Sequence, residues 1–243
     1  MKKLLIALAA VLAAGAGFLG YIGYFGGETF VPVAANPQAG NPAGGLAAVV
    51  LSGDMGFRMG MGPKIAARLA ADGIPVIGVN SLVYFRHRRS PLEVRNLVAT
   101  AIEKALEFGR ADRVVLVGQS FGSDMIPVAL SAMPGPVRAK IAKVIMVVPT
   151  DTLFLRASPS EMFNWSKPDA DAIPGARRLT WIPVVCVSGA RETTSLCPYM
   201  DQPNVVHVKL PGGHYLNGDV DALHRVISDA IYSARVASVK ERG

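Results

Sequence analysis

Apolar residues recur along this chain in two rhythms. Short unbroken runs rich in Val and Ile occupy residues 46–51, 75–79, 113–117, 143–148, 183–187 and 205–209. A strand with one wet face alternates apolar and polar residues, whereas a strand buried on both faces reads as such a continuous run. Between these runs lie longer stretches with helical spacing, at 63–72, 91–108, 121–132 and 219–234. Ser90-Pro91-Leu92-Glu93 joins an N-cap serine, a proline at the first helical position and a glutamate three residues on, which is a capping box. Asp219 offers an N-cap for the last helix. Strands alternating with helices imply right-handed βαβ units. The pattern predicts an α/β fold with a doubly wound, mostly parallel sheet of about six core strands. Residues 151–180 have weak periodicity, and so long a connection usually forms a lid or binding loop.

The N-terminus follows another pattern. Lys2 and Lys3 precede an apolar run from residue 4 to residue 25. Roughly 22 such residues suffice to span a bilayer as a hydrophobic helix. The leading lysines stay cytoplasmic, which places the rest of the chain outside. Residues 1–25 are thus a signal anchor or a signal peptide. Ala14-Gly15-Ala16 and Val33-Ala34-Ala35 have the small-x-small form of a cleavage site. Residues 26–45, rich in Gly, Pro, Asn and Ala, read as a linker, and residues 46–243 as a single domain with its insertion at 151–180.

Composition narrows the function. Hydrophobic residues make up 51% of the 243 and charged residues 18%, which excludes a disordered chain and a charge-laced coiled coil. The net charge of +7 raises nucleic acid or an anionic membrane as partners. Only Arg86, His87, Arg88 and Arg89 cluster, however, and no aromatic residues interleave a basic stripe, so nucleic acid is not expected. Two cysteines and four histidines leave little for a metal cluster. In an exported protein Cys186 and Cys197 are free to pair; otherwise they are two buried thiols.

The chemistry concentrates at Gly118-Gln119-Ser120-Phe121-Gly122, between a predicted strand and a predicted helix. This is G-x-S-x-G in the strand–turn–helix context that turns a serine hydroxyl up above the sheet. Such a nucleophile needs a base, and the base needs an orienting acid. His214 follows the last predicted strand, at the same sheet edge as Ser120. Glu192 follows the preceding strand and is the favoured acid, with Asp151 as the alternative. The Phe121 N–H faces a developing oxyanion, and the loop after the first core strand offers a second donor from Asp54 or Met55. Asp124 and Phe57 are candidates for contact with substrate. No metal or organic cofactor is required by this chemistry.

These segments together carry a resemblance. Ser52-Gly53-Asp54-x-Gly56-Phe57, Ser81-Leu82-Val83-Tyr84-Phe85, Gly118-Gln119-Ser120-Phe121-Gly122-Ser123-Asp124, Gly189-Ala190-Arg191-Glu192, Cys197-Pro198, and Pro211-Gly212-Gly213-His214 with Gly218-Asp219 occur in that order. Over roughly residues 46–235 the chain resembles the bacterial virulence-associated VirJ/AcvB family of exported α/β-hydrolases. It departs from the family pattern at Met55, where a glycine is usual, and at Phe57, where a tryptophan is usual. The resemblance implies a periplasmic serine hydrolase. Its AcvB branch implies hydrolysis of lysyl-phosphatidylglycerol, an aminoacyl ester of a membrane phospholipid. Its VirJ branch implies an accessory or binding role beside type IV secretion proteins. A general carboxylesterase or lipase is the third expectation. A cationic lysyl group would favour a nearby carboxylate, Asp54 or Asp124, and Arg86–Arg89 would meet anionic headgroups or simply face solvent.

Overall fold

A computed structural model describes residues 1–40, 44–162 and 165–232. Its first half runs α1 (Lys2–Ile22), β1 (Phe30–Val33), β2 (Leu46–Leu51), α2 (Gly62–Ala71), β3 (Val76–Val79), α3 (Ser81–Phe85), α4 (Pro91–Gly109) and β4 (Arg113–Gln119). It continues with α5 (Phe121–Ser131), α6 (Gly135–Arg138), β5 (Ile141–Val147), β6 (Thr152–Leu153), α7 (Pro159–Met162), β7 (Ala170–Asp171), α8 (Ile173–Ala176), β8 (Val184–Gly189), β9 (Val205–Leu210) and α9 (Val220–Tyr232). The main sheet has the order β1-β3-β2-β4-β5-β8-β9. All its pairings are parallel except that of β1 with β3.

The unbroken apolar runs have a direct cause: the inner strands feed two cores, whereas β9, at the edge, has no buried residue and carries His207 and Lys209. Ala47, Val49 and Leu51 of β2 point into one apolar cluster, with Leu116 of β4, Met146 of β5, and α4 and α5. Leu46, Ala48 and Val50 point into the other, with Val117, Ile145, α2 and α9. With side chains alternating between two buried faces, neither position of the pleat is left for a polar residue. The expected caps are present. Ser90 and Glu93 close the capping box on α4, and the Asp219 carboxylate accepts from the Ala222 N–H at 2.8 Å.

Among the described residues the sheet has the six expected strands and one more. The additional one, β1, lies inside the segment read as a linker. Its register on β3 is Phe30↔Val79 through Val33↔Val76. Four residues interrupted by Pro32 give no recognisable run, and an edge position is where proline is tolerated in a sheet. Within the expected insertion, β6 and β7 form a small antiparallel pair, with α7 between them.

The order β3-β2-β4 shows that the chain leaves β2 on one side and returns on the other. Crevices form outside the carboxyl ends of strands at such a switch point. The loops after β2 and β4 flank this one.

Candidate active site

Ser120 follows β4 directly and occupies φ 53°, ψ −124°, a conformation that costs a non-glycine residue about 1–3 kcal/mol. The elbow is tight enough to exclude side chains on either flank. A Cβ at Gly118 would lie 2.5 Å from Ser123 Cα, and one at Gly122 would lie 2.4 Å from the Ser52 carbonyl oxygen. The Ser120 N–H donates to Val147 O at 2.9 Å, which ties the elbow to β5.

Three of the sequence candidates meet here. Ser120 Oγ lies 2.7 Å from His214 Nε2, and His214 Nδ1 lies 2.6 Å from Glu192 Oε1. With its Nδ1 proton donated to Glu192, His214 leaves Nε2 to accept from the Ser120 hydroxyl. The Glu192 side chain is only 2% exposed, and its Oε2 accepts from the Gly189 N–H at 3.2 Å. The acid loop is stitched to the histidine loop, because the Ala190 and Arg191 N–H groups donate to the Leu210 and Gly212 carbonyls, each at 2.8 Å. Cys186 and Cys197 form a disulfide, with Cα atoms 5.6 Å apart, that closes the loop carrying Glu192. Both ring nitrogens of His214 are engaged, so the alternative acid Asp151 has no place in this relay. Asp151 is instead tied through its backbone to Thr194 and Ala172.

The relay opens into a cavity of about 510 Å³. Its walls come from the loop after β2 (Asp54, Met55), from Phe121 and Asp124 of α5, and from the irregular segment through Phe154 and Arg156. Phe121 opens α5, where backbone N–H groups have no partner within the helix, and its ring packs edge-on against Phe85. Burial pushes the Asp54 carboxyl above its ordinary value, against the pull of His214 and of the Asp54 and Met55 N–H groups that donate to it. Those are the two alternatives for the second oxyanion donor, beside the Phe121 N–H, and in this state the Asp54 carboxyl itself covers them. Asp124 is pushed up further by its burial, opposed by Thr150 and reinforced by the carboxylates of Asp54 and Glu192. Its two oxygens accept from the Thr150 N–H at 2.8 Å and from the Thr150 hydroxyl at 2.9 Å. Both oxygens of this candidate substrate contact are therefore engaged by Thr150.

Phe57 lies elsewhere than expected. Its ring is buried in the second core against β3, and a Cβ at Gly78 would fall 2.1 Å from it. Asn80 is a residue the sequence reading missed. Its Oδ1 accepts from the N–H groups of Phe57 at 3.3 Å and Val83 at 3.4 Å, which ties the loop after β2 to α3. Of the four arginine-cluster positions, two are internal staples: Arg88 pairs with Asp169, and Arg89 pairs with Glu93 and covers the Tyr84 ring. A second His-Asp-Ser group, His224 with Asp72 and Ser228, bridges α2 and α9. There one nitrogen, Nε2, faces both partners, so the ring does not stand between serine and acid as that of His214 does.

Residues 45–235 match the family described as Bacterial virulence protein (VirJ). The chain belongs to the VirJ family. No curated protein sequence matches it. Solved structures similar to this VirJ-family chain include MenH from S. aureus, with a TM-score of 0.58, 10% identity, and coverage of 83% of this chain and 97% of the other. Est1E from Butyrivibrio proteoclasticus gives 0.57 and 12%, covering 84% and 94%. The Pyrococcus furiosus esterase Pf2001 gives 0.53 and 15%, covering 82% and 87%. At such identities the likeness establishes an α/β-hydrolase fold.

Proposed function

We propose that this chain is a serine ester hydrolase of the periplasmic membrane face, acting on the aminoacyl ester of lysyl-phosphatidylglycerol. The observation that carries the reading is the Ser120–His214–Glu192 relay at the floor of an acid-lined cavity. Ser120 Oγ attacks the ester carbonyl while His214 Nε2 takes its proton. The developing oxyanion draws on the Phe121 N–H at the start of α5. The glycerol oxygen leaves with the proton from His214, releasing phosphatidylglycerol. Water, deprotonated by His214, then cleaves the lysyl ester of Ser120 and frees lysine.

Two features favour a cationic acyl group on an anionic lipid. Asp54 places a carboxyl group on the cavity wall within reach of a cation, while Arg156 is neutralised by Glu161 at 2.7 Å. Lys64, exposed at the rim of the same cavity, suits a phosphate. The apolar helix α1, with a mean hydropathy of 2.2 over its best window, fits a signal or membrane anchor.

The test compares the full chain on vesicles containing lysyl-phosphatidylglycerol, on vesicles of unmodified phosphatidylglycerol, and on a soluble aryl ester. Serine-dependent release of lysine, faster than turnover of the other two, is the expected result. Turnover of the soluble ester alone would replace the lipid with a general carboxylesterase reading. Turnover of nothing would favour the binding role beside a secretion system.

A further inference from the structure

The anchor helix is joined to the body by built structure. α1 ends in a left-handed Gly23 at φ 96°, and the Tyr24 N–H returns to Leu19 O at 2.9 Å, a Schellman-type stop. Ile22 is fully buried in the first core, with Leu19 and Tyr24 packed beside it. The next residues are held as well: the Asn80 N–H donates to Thr29 O at 2.8 Å, and β1 then completes the sheet edge. Above Ile22 the helix is bare, with Leu5, Ile6, Val11 and Leu12 each more than 60% exposed.

The base of this helix touches the loop after β2. Gly56 sits so close that a Cβ there would lie 2.9 Å from Ile22 O, and its φ of 76° suits glycine. Arg58 Nη1 donates to Tyr21 O at 2.8 Å, and its guanidinium lies over the Tyr21 ring. The Arg86 guanidinium lies beside Gly26. Residues 53–61 therefore rest on α1 on one side and form cavity wall at Asp54, Met55, Met59 and Met61 on the other. Exposed Tyr21 and Phe25 ring the same level, as aromatic residues do at a membrane–water boundary.

We propose that residues 19–33 are a retained part of the catalytic body, and that the base of α1 with Arg58 and Arg86 seats loop 53–61 on an anionic bilayer surface. This shares with the proposed function the reading of α1 as an anchor, and is independent of which ester is cleaved. A bare apolar helix about 31 Å long matches the hydrocarbon core of a bilayer, and basic side chains at its foot are drawn to anionic headgroups. Cleavage after Ala16 would leave the buried end of the helix as a loose terminus, and cleavage after Ala35 would remove β1.

The two cysteines of the chain are paired, so a single added cysteine can carry a fluorophore. The full chain is placed in vesicles of phosphatidylglycerol and phosphatidylethanolamine that contain a lipid with a headgroup-level quencher. His87→Cys, next to Arg86, reports the foot of α1, and Lys140→Cys, just before β5, reports the opposite, amino-terminal end of the strands. The expected result is quenching several-fold stronger at position 87, reduced by Arg58→Glu with Arg86→Glu in anionic vesicles and unchanged by them in zwitterionic ones. Equal quenching at both positions, none at 87, or no effect of the charge reversals would overturn the seat. A mature chain isolated from membranes that begins after residue 22 would overturn the retained base. Loss of lysine release with the quenching pattern intact would count against the substrate alone.

Discussion

Replacing Glu192 with glutamine probes the relay with almost no change in shape. Both carboxylate oxygens accept hydrogen bonds, Oε1 from His214 Nδ1–H at 2.6 Å and Oε2 from the Gly189 N–H at 3.2 Å. Glutamine has one accepting oxygen. If its NH2 faces Gly189, two donors meet in a space that is 2% exposed, and a buried unsatisfied donor costs about 1–3 kcal/mol. If its NH2 faces His214, Nδ1 becomes the acceptor and the imidazole proton moves to Nε2, where it blocks uptake of the Ser120 proton. The same acid-to-amide exchange in a Ser-His-Asp enzyme lowers kcat about 10⁴-fold, or roughly 5.5 kcal/mol at 1.4 kcal/mol per decade. A loss of about 10³–10⁴-fold in kcat on a soluble aryl ester is expected here, with little change in KM and a melting curve showing the protein folded. A Glu192→Gln enzyme that kept more than about a tenth of wild-type kcat would refute Glu192 as the orienting acid.

Removing the disulfide with Cys186→Ala and Cys197→Ala opens a loop with a sequence separation of 11. The chain-entropy cost is about 3 kcal/mol, and thermal melts with kcat measurements should show lower stability together with weaker turnover, since Glu192 hangs on that loop. Asp54→Asn should lower kcat/KM for a lysyl ester roughly ten-fold or more relative to a matched neutral acyl ester, as expected for one carboxylate lost near a cation; an unchanged ratio would remove Asp54 from substrate recognition. Glu161 is held at about 2, below its ordinary 4.5, by hydrogen bonds from Arg156 and three serines that outweigh its burial. A depressed carboxylate contributes stability that is complete above 4.5 and is lost as pH falls from there through about 2. Glu161→Gln should therefore flatten the acid limb of the melting-temperature profile, and an unaltered limb would contradict it.

Much of this architecture is legible in the sequence because its signals are local. Strands buried on two faces leave unbroken Val/Ile runs, and the elbow writes its glycines beside its serine. The chain order of acid and histidine places Glu192 and His214 at one sheet edge. What escaped depends on distant partners. β1 is a strand only because β3 lies beside it. Phe57, in a glycine-rich loop next to the nucleophile, reads as a pocket residue, yet the small Gly78 on β3 admits its ring to the core. Asp124 is bound by Thr150, which only the folding of β5 brings opposite α5. The junction of α1 with the body was hidden behind a segment whose Gly, Pro and Asn content reads as linker.

The central claim is an activated serine, and covalent capture tests it most directly. The full chain treated with a fluorophosphonate probe at neutral pH should yield a single adduct, on the tryptic peptide containing Ser120, and the Ser120→Ala protein should yield none. A folded wild-type protein that takes no label, or takes it equally in the Ser120→Ala form, would contradict the account.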